Sequence, residues 1–297
     1  MINSVTDILK SKSYKDRKLS DFQLNQLDKE GFVLIEPKKE IWEWIGCSVE
    51  NLRSIIDNLK IQEGTNAGSE GKENILKNKN KTIEPGADRL GNLINKSPYM
   101  SKIATLPEMI WASYLIIKKD IKLSSVLFRE PKKNSGEQQI HIDWIPEENN
   151  KKEYNSVISF LFLNDSTIQN GATKVIPGTH KYFSYPDKYM NPFQPHENEI
   201  SITAKAGSLL IMNSLLWHKG GNNITGEKRG IIVTEYRERN IKQLLNLKKY
   251  ISEETQSQLN SSELYLFGLR KEDSNQLEGS YGPGDHYRNW LKENEHF

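Results

Sequence analysis

Two residues able to bind a transition metal stand two apart in His141-Ile142-Asp143, inside the run QQIHIDWIP, which reads as a strand. Side chains at i and i+2 of a strand share a face, so this imidazole and carboxylate can reach one ion together. Completed by a distant second histidine, the pair forms the two-His-one-carboxylate facial set, which suits non-haem Fe(II) oxygen chemistry. Alone, the tripeptide also fits a structural surface pair. The other histidines are His180 in the turn PGTH, His196 in the proline-rich PFQPHEN, His218, and His286 and His296 close to the C-terminus. His218 is the best placed, because it ends the run GSLLIMNSLLWHKGGNN just before the Gly220-Gly221 turn. His180 reads as a turn residue that packs or hydrogen-bonds.

An iron site of this type commonly takes 2-oxoglutarate in two of its open positions, and the far carboxylate of the keto acid then needs a cation. Arginine suits it, since its planar fork matches a carboxylate bidentately. Arg229 opens the strand RGIIVTEYRER, and a hairpin through GGNNITGEK brings that strand beside the one carrying His218. A surface arginine at a hairpin end is the plainer alternative.

The elements that must position these residues change character along the chain. Residues 1–120 read as mostly helical. LSDFQLNQLDKEG has Ser20 as cap and Gly31 as stop before the strand FVLI. A second helix starts at Ser48, and a third, SPYMSKIATLPEMIWASYLI, must split or kink at Pro107. Between them, 62–92 is a polar loop that could serve as a lid. Residues 121–240 carry short β runs punctuated by glycine, with no helix between them long enough for a parallel crossover, which favours an antiparallel sandwich or barrel. Residues 241–297 read as a helix and tail. The 297 residues suit one domain built around the β region.

Composition narrows the function classes. Cys47 is the only cysteine, so an intrachain disulfide and a thiolate metal cluster are both excluded, and a reducing cytoplasm fits. The formal charge of +2 argues against a dedicated nucleic-acid binder. No apolar run reaches the ~20 residues a membrane-spanning helix needs. The N-terminal MINSVTDILKSKSYKDRK lacks the apolar core of a secretory signal.

Taken together and in order, HIDW, NGATKVIPGTH, LLWHKGGNN and Arg229 resemble the phytanoyl-CoA dioxygenase (PhyH-like) family of Fe(II)/2-oxoglutarate-dependent oxygenases, over roughly Gly86 to Arg239. The resemblance implies a mainly β fold with flanking α-helices, a double-stranded β-helix (jelly roll, cupin-like) with the metal at its open mouth. It implies His141, Asp143 and His218 as ligands of Fe(II), and Arg229 as the partner of the 2-oxoglutarate C5 carboxylate. Gln138 matches a position that contacts the cosubstrate, with Gln139 the alternative one residue on, and Thr173 matches another. It further implies O2 as co-reactant, release of succinate and CO2, and oxidation of a small-molecule metabolite in biosynthesis. Related halogenases have a small residue at the position of Asp143, so the retained carboxylate speaks against halogenation.

Arg129 and Trp144 are candidate substrate contacts, although Trp144 points away from the Asp143 face in a regular strand. The 62–92 loop and the Tyr182–Pro195 segment are the expected covers of the mouth. A protein or nucleic-acid hydroxylase or demethylase of the same superfamily, and a non-catalytic cupin-like metal binder, are the alternatives. The near-neutral charge weighs against nucleic acid, and a keto-acid clamp has no evident use in a non-catalytic binder. The oligomeric state is left open.

Overall fold

The computed structural model describes residues 2–67, 86–144, 152–271 and 273. Helix Asp21–Glu30 starts where its local chemistry dictates. The Ser20 hydroxyl accepts from the Gln23 N–H at 3.3 Å, and the Gln23 side chain accepts from the Ser20 N–H at 2.9 Å. It ends at Gly31, in the left-handed region at φ +84°, where a side chain would strike the His180 ring. Helix Val49–Glu63 is capped by Ser48. The third helix divides as its prolines require, into Pro98–Ala104 and Pro107–Ile117, each beginning on proline.

Among the described residues the strands are β1 (Phe32–Ile35), β2 (Asn66–Ala67), β3 (Ala87–Leu90), β4 (Ile121–Pro131), β5 (Ser156–Phe162), β6 (Lys174–Val175), β7 (Ile200–Ser201), β8 (Leu209–Asn213), β9 (His218–Lys219) and β10 (Ile231–Glu238). They form a seven-stranded sheet in the order β1-β8-β5-β10-β4-β3-β2 and a three-stranded sheet β7-β6-β9. All pairings are antiparallel except β2 with β3. The expected fold class, mainly β with flanking helices in a jelly roll, is the observed one. The 62–92 loop is shorter than its composition indicated, since its described ends are helical at 62–63 and paired in β2 and β3; residues 68–85 lie outside the described residues.

Both faces of the large sheet are buried, which explains the unbroken apolar runs in β5 and β8. Val157, Leu161, Leu209, Ile211 and Ile232 face outward into the core shared with the helices. Ile158, Phe160, Phe162, Leu210, Met212, Ile231 and Val233 face inward with Val175 and Ile202 of the small-sheet region. The structure corrects one expectation here. Over its described residues, 138–144, QQIHIDWIP is not a strand: among them only His141 pairs, in an isolated antiparallel bridge with His218.

The β4–β10 register shifts between Glu235 and Tyr236, so Glu235 faces Ser125, Tyr236 faces Leu123, and Ser124 is the extra residue of a bulge. Ser124 uses this freedom to hold the segment that follows β10. Its hydroxyl accepts from the Leu244 N–H at 2.9 Å and its carbonyl from the Leu245 N–H at 3.2 Å. The Gln243 amide donates to the carbonyls of Leu123 and Phe267 at 2.7 and 3.0 Å. Three short helices follow, Leu247–Tyr250, Glu253–Gln258 and Ser261–Leu266, and residues 274–297 lie outside the described residues.

Lys122, opposite Arg237 in β10, is buried. Burial, with Arg239 and Arg237 nearby, pushes its ammonium down to about 8 despite the opposing Asp273. The unfolded lysine titrates near ~10.4. Between these values the unfolded chain holds a proton that the folded chain lacks, so stability rises with pH from about 8 upward. Lys122→Met is therefore expected to stabilise the protein at pH 7 by up to ~3 kcal/mol and to flatten that rise. Urea denaturation at pH 7 and 9.5 tests this; a destabilised variant with the same pH slope contradicts it.

Candidate active site

The bridge that replaces the expected strand is what assembles the site. The His141 N–H donates to the His218 carbonyl at 2.9 Å, and the His218 N–H donates back at 3.0 Å. The Asp143 and Trp144 N–H groups both donate to the Ser214 carbonyl, at 2.8 and 3.2 Å. His141 Nε2 lies 3.7 Å from Asp143 Oδ1, and His218 Nε2 lies 3.1 Å from Asp143 Oδ2. One ligand atom from each of the three falls within 4.8 Å of the others.

The imidazoles are oriented from behind. His141 Nδ1 is 2.9 Å from the Gln139 carbonyl, and His218 Nδ1 is 2.9 Å from the Leu216 carbonyl. A carbonyl only accepts, so each Nδ1 carries the proton and each Nε2 offers its lone pair to the centre, the arrangement metal-ligating histidines favour. Burial and the neighbouring His218 push His141 down to about 4. Burial acts to raise Asp143, but His218 and His141 outweigh it and hold the carboxyl at about 2. Burial also disfavours charge on His218, and the Asp143 carboxylate reverses that and raises it.

Close backbone approach fixes the end of β9. A Cβ on Gly171, at φ +87°, would lie 2.6 Å from the Gly221 carbonyl oxygen, and one on Gly221 would lie 2.8 Å from the Ala172 carbonyl oxygen. The GAT turn and the Gly-Gly turn thus dock backbone to backbone. Asn223 ties the hairpin beyond, donating to the carbonyls of Pro131 at 3.2 Å and Glu227 at 2.9 Å.

The side chains of His141, Asp143 and His218, which could hold a metal ion, open onto a cavity of about 450 Å³ between the sheets. Gln138 lines it and is clamped to Gly220: its N–H donates to the Gly220 carbonyl at 3.1 Å, and its Oε1 accepts from the Gly220 N–H at 3.0 Å. Thr173 and Arg129 also line it. Trp144 does too, against the strand-based expectation, because a segment that is not a strand need not alternate faces. Arg229 is fully buried, is not among the residues lining the cavity, and stands two residues before Ile231, where the cavity-lining row Ile231, Val233, Glu235, Arg237 of β10 begins. Arg129 pairs with Ile231, so Arg229 stands two residues along the chain from the partner of Arg129.

Elsewhere the expectations divide. His180 packs on Gly31 with Nε2 3.2 Å from the Asp28 carbonyl, far from the metal-binding set. His286 and His296 lie outside the described residues. The Tyr182–Pro195 segment does not line the cavity; it buttresses the His141 segment, with the Pro192 carbonyl accepting from the Ile140 N–H at 2.8 Å and Tyr189 packing on Trp217. The mouth is walled instead by Ile241, Lys242 and Leu244. Sequence reasoning passed over these, and over Arg89, Glu235 and Arg237. Counting in twos from Arg229 along RGIIVTEYRER would have found Glu235 and Arg237.

The model of the phytanoyl-CoA dioxygenase (PhyH) family matches residues 60–231, well over half of the chain. The chain belongs to that family. The PhyH match takes in His141, Asp143, His218 and Arg229. Among curated proteins the chain is 30% identical to dioxygenase af480 of Aspergillus fumigatus over 108 residues, 36% of this chain and 34% of that one. The chain spans about a third or less of the length of the curated relatives it matches. The PhyH fold recurs in HygX of Streptomyces hygroscopicus, solved with nickel and 2-oxoglutarate bound, at 15% identity and TM-score 0.56 over 76% of this chain and 89% of that one. It recurs also in SnoK, a non-haem α-ketoglutarate-dependent carbocyclase from nogalamycin biosynthesis, at 14% identity and TM-score 0.56 over 95% and 98%.

Proposed function

We propose that this chain is an Fe(II)- and 2-oxoglutarate-dependent oxygenase that hydroxylates or otherwise oxidises a small-molecule metabolite. The observation that carries the reading is the convergence of His141 Nε2, His218 Nε2 and the Asp143 carboxylate on one cavity, with both Nδ1 atoms committed to backbone carbonyls. The donor set fits Fe(II): two neutral imidazoles and one carboxylate on one side, with the cavity on the other. Bound there, Fe(II) with 2-oxoglutarate and O2 supplies the oxidising chemistry, with succinate and CO2 as by-products.

The protein contributes orientation and a water-poor enclosure. His141 and His218 commit Nδ1 to backbone carbonyls and Asp143 stays ionised, so the two Nε2 atoms and the carboxylate are the atoms left to face the metal-binding point. Arg129 and Arg229 supply the cationic end for the far carboxylate of the keto acid. Gln138, with Oε1 taken by Gly220, keeps its Nε2 as a donor, and Thr173 stands on the same cavity wall. HygX has also been solved with hygromycin B beside nickel and 2-oxoglutarate, which supports a small molecule as substrate. No helix of the described residues is long and apolar enough to cross a membrane, and the single cysteine fits a cytoplasmic setting.

The test is succinate release under air with Fe(II), ascorbate and 2-oxoglutarate, alongside anaerobic binding of 2-oxoglutarate in the presence of Fe(II). Slow iron-dependent succinate formation is expected even without substrate. A protein showing neither iron-dependent succinate nor metal-dependent 2-oxoglutarate binding is not such an oxygenase.

A further inference from the structure

We propose that the substrate carries an oxyanionic group, a carboxylate or phosphate, which docks where Arg237, Lys242 and Trp144 line the cavity, with its apolar body against Ile158, Val233, Ile241 and Leu244. This rests on the oxygenase reading, because it assigns 2-oxoglutarate to the opposite end of the same cavity.

Distance separates the two ends. Arg229 stands two residues before β10 and eight before Arg237, and β10 from Ile231 to Arg237 alone spans roughly 20 Å at ~3.3 Å per residue. Arg129, level with Ile231, is still six residues from Arg237, roughly 20 Å. A five-carbon diacid, at ~1.5 Å per carbon–carbon bond, covers only a fraction of that. With one carboxylate at the metal and the other at Arg129 and Arg229, the cosubstrate never reaches Arg237. The cations at that end serve another ligand.

The Arg237 guanidinium is held for such a role. Its Nε donates to Glu235 Oε1 at 2.6 Å and its Nη1 to the Lys242 carbonyl at 2.9 Å, which leaves donors on both terminal nitrogens. Its Cζ sits 5.0 Å from the centre of the Trp144 ring, next in sequence to Asp143. Glu235 is already engaged, since the same Oε1 also accepts from the Ser156 hydroxyl at 3.0 Å. One carboxylate therefore faces two lining cations at this end, with the Lys242 side chain exposed at the rim. The walls between this end and the metal-binding set are aliphatic and aromatic, so the ligand that fits is an amphiphilic anion rather than a sugar or a polyamine.

Four eight-carbon probes that differ only in the head group test this: octanoate, octyl phosphate, octanol and octylamine, titrated onto protein loaded anaerobically with Fe(II) and 2-oxoglutarate. The readout is the change each causes in the absorption of the iron-bound keto acid. The two anions are expected to saturate at concentrations at least tenfold below octanol, with octylamine the weakest, and the tighter anion names the oxyanion. Lys242→Gln, at an exposed position, and Arg237→Gln are each expected to erase that preference while octanol binding persists. Equal saturation by all four, tighter binding of the amine or alcohol, no response to any probe, or a preference that survives Lys242→Gln overturns the proposal. Failure of 2-oxoglutarate to load tells instead against the oxygenase reading.

Discussion

An Asp143→Ala protein is expected to lose tight Fe(II) binding and all iron-dependent succinate formation while keeping its fold. Asp143 is the only carboxylate in the metal-binding set among the described residues, and its oxygens lie 3.7 and 3.1 Å from the two imidazoles. Without it, a dication must bind two neutral imidazoles with no charge offset. Losing only an outer partner of a ligand costs roughly 10–100-fold in metal affinity, and losing the ligand itself costs more. The fold is spared because Asp143 is fixed through its backbone N–H to the Ser214 carbonyl, a bond alanine keeps. Calorimetric titration with Mn(II) or Fe(II), beside a thermal melt, separates the two effects. Wild-type succinate formation by iron-loaded Asp143→Ala would remove the basis of the assignment.

Arg129→Leu and Arg229→Leu are each expected to raise the apparent KM for 2-oxoglutarate by roughly 10–100-fold. The magnitude follows from hydrogen bonds to charged groups, worth ~1.5–3 kcal/mol, at ~1.4 kcal/mol per tenfold. The two positions differ in kind. Arg129 lines the cavity, whereas Arg229 is wholly buried two residues before β10 begins at Ile231. Arg229→Lys keeps the charge and loses the planar fork, so its KM is expected to fall between those of the wild type and Arg229→Leu. If neither leucine variant shifts KM by more than about threefold, the far carboxylate binds elsewhere.

The grouping of His141, Asp143 and His218 was legible because the chemistry of these residues is local and their order along the chain is informative. So were the helix ends, where Ser20, Ser48, Gly31 and Pro107 act on their immediate neighbours. The strand assigned to QQIHIDWIP failed because pairing is not a local property. Among its described residues only His141 meets a strand-like partner, and residues 140–144 are held by one bond to Pro192 and two each to His218 and Ser214. The grouping of His141 with Asp143 survived that error, since the Ser214 carbonyl turns Asp143 back toward the histidines; the face of Trp144 did not. The wall formed by Ile241, Lys242 and Leu244 was invisible for a similar reason. Nothing in IKQLL announces that a bulge over a hundred residues upstream will capture it.

That bulge has an evolutionary consequence. Ser124 anchors the 241–245 segment through backbone atoms and one hydroxyl, and Gln243 adds a side-chain tie, so the anchor does not depend on the side chains of Ile241, Lys242 and Leu244. The metal-binding residues hang from a different set of elements, the His141 bridge and the Ser214 carbonyl. Ile241, Lys242 and Leu244 are therefore free to vary without disturbing the metal-binding set. A lineage built on this frame can reshape the cavity mouth by point changes at these three positions and inherit the His141, Asp143 and His218 cluster intact.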